Sequence, residues 1–173
     1  MPRLCISGWK CRRALSLLIL HDWPWVGLTA LSQALTLSCV NLPFLLVQAG
    51  GNGARGGVCL ERDQLHEAED IAAAMSRWWD WPPLEVIEEV AAITLYPLAG
   101  EMTLVAEALA CLAGVDLRPL AFGTSLASLT VILPDSALGA AMEAFRRRFE
   151  LPPESSPPEE RVRVVQSPLK RGQ

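Results

Sequence analysis

Histidine is almost missing from this sequence, and much catalytic chemistry goes with it. His21 and His66 are the only two in 173 residues, and no H-x-x-x-H, G-x-S-x-G or phosphate-loop motif accompanies them. An active site needs a nucleophile with an acid and a base, or a set of metal ligands, gathered in one cleft. Adjacent carboxylates do not supply one. Glu88-Glu89 and Glu159-Glu160 lie on strand-like segments, where neighbouring side chains point to opposite faces. The sequence predicts a protein that is not an enzyme and holds no metal and no cofactor.

Charge is sparse as well. Only 20% of residues are charged, the net charge is -4 and no basic stripe interrupts the chain, which excludes nucleic acid as a partner. The five cysteines, Cys5, Cys11, Cys39, Cys59 and Cys111, are odd in number and form no C-x-x-C. They read as reduced, small core hydrophobes of a cytoplasmic protein. No apolar run reaches the length of a membrane span. Arg3, Lys10, Arg12 and Arg13 ahead of Ala14-Leu20 imitate a signal peptide, but no small-x-small cleavage site follows.

What the sequence has in quantity is apolar surface, 51% of its residues, and a worn internal repeat. In the later copy Ala91–Pro97 reads as a strand, Met102–Ala113 as an amphipathic helix, and Val115–Ala121 as a strand. Ser128–Leu133 follows as a strand and Asp135–Phe149 as a helix. The earlier copy runs in the same order: Ala14–Leu20, Leu28–Ser38, Val40–Gln48, Gly57–Leu60, Asp63–Trp79. Val40-Asn41-Leu42 aligns on Val115-Asp116-Leu117. A repeat of about seventy residues predicts two modules, residues 1–83 and 84–166, with 167–173 as a loose tail. Leu4-Cys-Ile-Ser and Leu84–Val90 stand as leading strands, and the sequence leaves open which unit each completes. The apolar fraction predicts self-association.

Helix faces and connectors refine this outline. Leu28, Leu31 and Leu35, then Leu65, Ala68, Ile71, Ala72, Met75 and Trp79, recur at helical spacing. Asp63 and Asp135 or Ser136 read as helix N-caps. Arg146, Arg147 and Arg148 crowd a last helical turn, where the dipole favours cations, and read as a solvated basic face. Gly51, Gly53 and Gly56 form a formal G-x-G-x-x-G. A strand rather than a helix follows it, so it reads as a flexible hairpin loop. Residues 151–160 are a proline-rich acidic connector and 161–166 alternate like a last strand. Trp78, Trp79 and Trp81 read as cover for a core edge or an interface. Trp23 and Trp25 occupy a turn-rich connection, where ligand or interface contact competes evenly with packing.

Strand, helix, strand, strand, helix with a further strand per set is the ferredoxin-like plan of ACT domains. Ile6-Ser-Gly-Trp-Lys-Cys-Arg-Arg-Ala-Leu-Ser-Leu resembles the opening of the regulatory half of aspartate kinases, and Asp22–Gly27 stands where its Asp/Pro/Gly loop belongs. Glu85–Leu95 resembles the junction of the two ACT units, and Gly114–Ala121 is similar to the family's second strand. The resemblance implies an α+β fold of two ferredoxin-like ACT units, with antiparallel sheets and helices on one face. It also implies a regulatory protein that binds an amino acid or similar effector, as a homodimer or with a partner enzyme. A structural subunit that assembles with a metabolic enzyme, without a ligand, is the rival.

By the same resemblance the effector lies between the first-strand loop of one unit and the second strand of a neighbour. Carried over, this selects Asp22, Gly27, Asn41 and Gln48, with Gly100, Glu101 and Asp116 as counterparts in the second unit. Amides at a helix start can hold a carboxylate, and Asp22 and Asn41 can accept from an ammonium. The plain alternative is that Asp22 shapes a turn and Asn41 ends a helix.

Overall fold

A computed structural model describes residues 3–49, 53–82, 84–97, 103–125 and 127–150. Gly51, Gly100, Glu101, the connector 151–160, the expected last strand 161–166 and the expected tail 167–173 lie outside the described residues. The elements are β1 Leu4–Trp23, α1 Trp25–Leu37, β2 Phe44–Ala49, β3 Ala54–Glu61, α2 Leu65–Trp79, β4 Glu85–Pro97, α3 Leu104–Ala113, β5 Ala121–Thr124, β6 Leu129–Pro134, α4 Leu138–Arg148 and β7 Phe149–Glu150. The fold is α+β with four helices, and the paired strands are antiparallel except for the two-residue β7, which runs parallel to β1. No described helix is long and apolar enough to cross a membrane.

Each leading strand is continuous with the strand after it. β1 and β4 each pass from one compact unit into the other, and the passage falls between Ala14 and Leu15 and between Glu88 and Glu89. Ala14 and Glu89 both have φ 56°, a left-handed kink that costs a non-glycine residue about 1–2 kcal/mol. The first unit is therefore Leu15–Glu88, and the second joins the residues up to Ala14 to those from Glu89. Against the expected division at 83/84, the N-terminal strand falls with the later repeat and residues 85–88 with the earlier one.

In the first unit the strand order is β2-β3-β1-β4, the order a βαββαβ chain takes when α1 and α2 cover one face. Leu18 and Leu20 lie opposite Val58 and Gly56 and meet Leu28, Leu31, Leu35, Leu65, Ala68 and Ala72 from the helices. Part of the glycine-rich run is strand rather than flexible loop: Gly56 pairs with Leu20 on one side and Val47 on the other. A Cβ there would overlap the Leu46 carbonyl oxygen. Asp63 does not cap α2, which is preceded by a 3-10 turn, Arg62–Gln64, so that Gln64 holds the cap position. Trp79 does not face inward; it is 55% exposed.

The second unit repeats the plan. Ala91, Ile93 and Leu95 pair with Leu133, Val131 and Leu129, and all six join Leu104, Ala108, Leu112, Leu138, Ala141 and Phe145 in its core. Ile6 and Trp9 of β1 complete that core. Residues 115–120, expected as strand, are a turn and coil, and β5 begins only at Ala121. Asp135 and Ser136 lie in a 3-10 turn, and α4 runs Leu138–Arg148, with Phe149 starting β7. On β6, Leu129, Val131 and Leu133 face the helices, whereas on β2 Phe44 and Leu46, opposite Cys59 and Gly57, face away from theirs.

The expected solvated arginine face does more than that. Arg148 donates Nε and Nη2 to the Glu107 carboxylate at 2.7 and 2.6 Å, Arg146 lies 5.6 Å from the Trp9 ring centroid, and Arg147 bonds Glu143 one turn away. Arg13 likewise forks onto Asp135 at 2.9 and 2.6 Å. Among the cysteines, Cys11 and Cys59 are buried, Cys39 and Cys111 half-buried and Cys5 exposed, so three of the five fall short of full burial in the core.

Two outcomes follow. Gly56→Ala should destabilise the chain by about 1–3 kcal/mol through overpacking against backbone, read as a lower urea midpoint; an unchanged midpoint would contradict the close approach. Hydrogen bonds from Arg148 and Arg13 hold the Glu107 and Asp135 carboxyls below their ordinary values. The unfolded chain then binds more protons in acid, so this stabilisation is complete above about pH 5 and disappears as pH falls through the lowered folded-state values. Thermal midpoints should be flat from neutrality to about pH 5 and fall steeply below pH 4, with a shallower fall in Glu107→Gln.

Candidate functional site

The end of β1 is where the first unit departs from regular pairing. Leu20 lies opposite Gly56 and Trp23 opposite Ala54, so β1 spends one more residue than β3 over the same span. An extra residue of this kind is a β-bulge, which bends its strand and re-aims its side chains. Asp22 sits in the bulge at φ 53°, a conformation that Asp tolerates better than most residues. Its side chain turns outward, and that of Trp23 turns into the core.

The outward carboxylate meets Arg55 across the strands. Arg55 donates Nε and Nη2 to the two Asp22 oxygens, both at 2.8 Å. These hydrogen bonds hold the Asp22 carboxyl below its ordinary value, with the Arg55 and His21 charges adding to them against some desolvation, and raise Arg55 in turn. Gln48 is the β2 residue opposite Arg55 and is exposed. Asp22, Arg55 and Gln48 thus gather at one end of the sheet. His21 beside them contacts Glu85 at 2.9 Å.

Trp23 and Gly27 belong to the packing beneath. Trp23 is fully buried, its Nε1 donates to the Pro82 carbonyl at 2.9 Å, and its ring lies 5.4 Å from that of Trp81. The turn-rich reading of residues 22–27 is corrected here: Asp22 and Trp23 are strand and Trp25 already opens α1. A Cβ on Gly27 would come within 2.9 Å of the Trp81 ring, so glycine lets that indole lie on the helix. Trp79 stacks on Trp81 at 4.8 Å, which makes Trp81 the cover of the core edge and leaves Trp78 83% exposed. Trp25 is 53% exposed on the first turn of α1. That turn has no side-chain cap and no acidic residue.

Asn41 is not part of this cluster. It follows the far end of α1, about 20 Å away along the helix. Its N–H donates to Gln64 Oε1 at 2.9 Å, and Gln64 Nε2 donates to the Cys39 carbonyl at 3.2 Å. Nor is Asp116 its equivalent. Cys39 and Asp116 share the left-handed position after α1 and α3, at φ 55° and 53°, and the next N–H, of Val40 or Leu117, bonds back to Leu35 or Leu112 at 2.9 Å. The repeat is therefore offset by two residues from the alignment of Asn41 with Asp116. Among the described residues no group of three or more His, Cys, Asp or Glu is placed to hold a metal ion.

Arg55 was the residue that sequence reasoning missed. Arg55 is the lone charge inside the glycine-rich run Gly50–Gly57, and that isolation was its signal.

No protein-family model matches the sequence, and no curated protein is recognisably similar to it. Solved structures do match. The ligand-free regulatory subunit of aspartate kinase from Thermus thermophilus superposes with a TM-score of 0.74 at 17% identity, over 84% of this chain and 99% of that one. Aspartate kinase from Synechocystis gives 0.74 at 18% identity over 92% of this chain, but only 29% of the enzyme. E. coli aspartokinase III in complex with lysine and aspartate gives 0.60 at 17% identity, over 86% of this chain and 34% of that one. The fold of this chain is that of the tandem ACT regulatory subunit of aspartate kinase.

Proposed function

We propose that the chain is a regulatory or sensor protein without catalytic activity, which binds an amino acid or similar small effector and acts in the cytoplasm through a second copy or a partner enzyme. The observation that carries this reading is coverage: the fold accounts for 99% of a protein that is itself a regulatory subunit. One matched enzyme was solved with lysine bound. The Asp22–Arg55–Gln48 cluster has suitable chemistry. A free amino acid carries a carboxylate and an ammonium group, and the cluster offers a guanidinium, a carboxylate and an amide beside the uncapped start of α1. Asn41 of a neighbouring copy and Asp116 complete the proposed contacts, together with Gly100 and Glu101 by resemblance.

One observation favours the rival reading, a structural subunit that assembles without a ligand. Both Asp22 oxygens already accept from Arg55, so a ligand's ammonium must share them or displace the guanidinium.

A thermal-shift screen of the full chain against the standard amino acids separates the two readings, because a ligand selective for the native state raises its midpoint. One amino acid or a narrow group should shift it; a flat screen favours the structural subunit. By calorimetry, Asp22→Ala should weaken the active amino acid on the order of tenfold or more. Equal affinity in a folded Asp22→Ala would remove Asp22 from the site.

A further inference from the structure

On one side of β1 the sheet of the second unit has a gap. β4 lies along the other side. On the gapped side the two-residue β7 runs parallel to β1, with Phe149 opposite Leu4 and Glu150 opposite Cys5, and β3 arrives only at Leu15. Among the described residues no strand stands beside residues 6–14 there. A sheet edge of that length needs a cover or a guard.

The charges indicate which cover fits. Residues 3–13 hold Arg3, Lys10, Arg12 and Arg13 and no acid, whereas residues 150–160 hold Glu150, Glu154, Glu159 and Glu160 and no base. The pairing of Glu150 with Cys5 already brings the two segments together. Because β7 is parallel to β1, the chain that leaves Glu150 heads along the gap rather than away from it.

Trp9 marks one point on that edge. Its side chain is buried, its Nε1 donor has no acceptor among the described residues, and Arg146 of α4 lies 5.6 Å from its ring centroid. A buried donor without a partner costs its desolvation, and a guanidinium beside it favours an anionic acceptor over a neutral one. Continuing the register of Leu4 with Phe149 brings Glu154 opposite Trp9. Register partners in a sheet place their side chains on the same face, so the carboxylate arrives on the side of the indole and Arg146.

We propose that residues 151–160 are the cover of this edge: the acidic connector runs on from β7 beside β1, with Glu154 at Trp9 and Arg146. Its prolines suit that place. Pro152, Pro153, Pro157 and Pro158 keep their carbonyls and lack N–H groups, so the connector accepts from the edge of β1 and offers few donors to any further strand. The cover closes the second core at the one stretch of β1 that has a single neighbouring strand. It requires no effector, so its test is separate from that of ligand binding.

The test is nuclear magnetic resonance of the six indole N–H groups in the full chain, with Trp9→Phe identifying the Trp9 signal. Glu154→Gln should move that signal and speed its exchange with water about tenfold or more, with the other five indoles unmoved and circular dichroism unchanged. Glu160→Gln, which the same register places opposite Leu15, should leave Trp9 as in the wild type. A Trp9 signal that ignores Glu154→Gln, or that responds equally to Glu160→Gln, overturns the proposal. In a mixture of isotope-labelled wild type with excess unlabelled Glu154→Gln, the labelled Trp9 signal should keep its wild-type position. Its movement to the variant position would give the connector to a second copy and overturn the proposal as well.

Discussion

The exchange of leading strands is the constraint on which the rest of this fold depends. A βαββα sequence leaves one side of its central strand unpaired, and a sheet of that size needs another strand to cover a two-helix layer. In the first unit that place beside β1 is filled by the opening residues of β4; in the second, the place beside β4 is filled by the opening residues of β1. Neither repeat closes its own sheet from its own residues. The left-handed kinks at Ala14 and Glu89 mark where each strand leaves one core for the other. Their cost of about 1–2 kcal/mol apiece is offset by the burial of Ile6 and Trp9 in the second core, at about 1.5–3 kcal/mol for each large apolar side chain.

The candidate site is a by-product of the same long strand. β1 must pass from the second core through the first and still deliver the chain to α1. Its one-residue bulge at His21–Asp22 does this by turning Trp23 inward, where Trp81 and the Pro82 carbonyl receive it, and Asp22 outward to Arg55. A packing requirement and a charged surface cluster are thus set by the same backbone irregularity. Arg55 also explains why a charge occurs within the glycine-rich run: the glycines bring three strands close, and the guanidinium fixes the bulge from the neighbouring strand.

Much of the fold was legible because the repeat and its two hydrophobic periods agree. Leu28, Leu31 and Leu35 face the core as their spacing predicts, and so do Leu129, Val131 and Leu133. What could not be read is what depends on conformations the sequence does not mark. Ala14, Asp22, Cys39, Asp80, Glu89 and Asp116 are left-handed without being glycine. The fusion of the leading strands, the bulge and the two-residue offset between the repeats were therefore invisible. Residues 115–120 have strand-like composition, but the left-handed turn at Asp116 intervenes. Of the candidate site residues, Asp22 and Gln48 come together, Trp25 stands near them at the start of α1, Trp23 and Gly27 serve packing, and Asn41 lies at the other end of the helix. Composition alone could not assign Trp23, because an indole in a connection and an indole in a bulged strand look alike.

If the units are knit by exchanged strands, damage to the N-terminal strand must be felt far along the chain. Amide hydrogen exchange on the full chain carrying Ile6→Ala, which empties a side chain only 1% exposed, reads this directly. The account predicts lost protection across β4 from Ala91 to Leu95, across β6 and through α4, while Leu18, Leu20 and Val58 keep theirs. Lost protection centred on Leu18, Leu20 and Val58, with β6 and α4 unchanged, would contradict it.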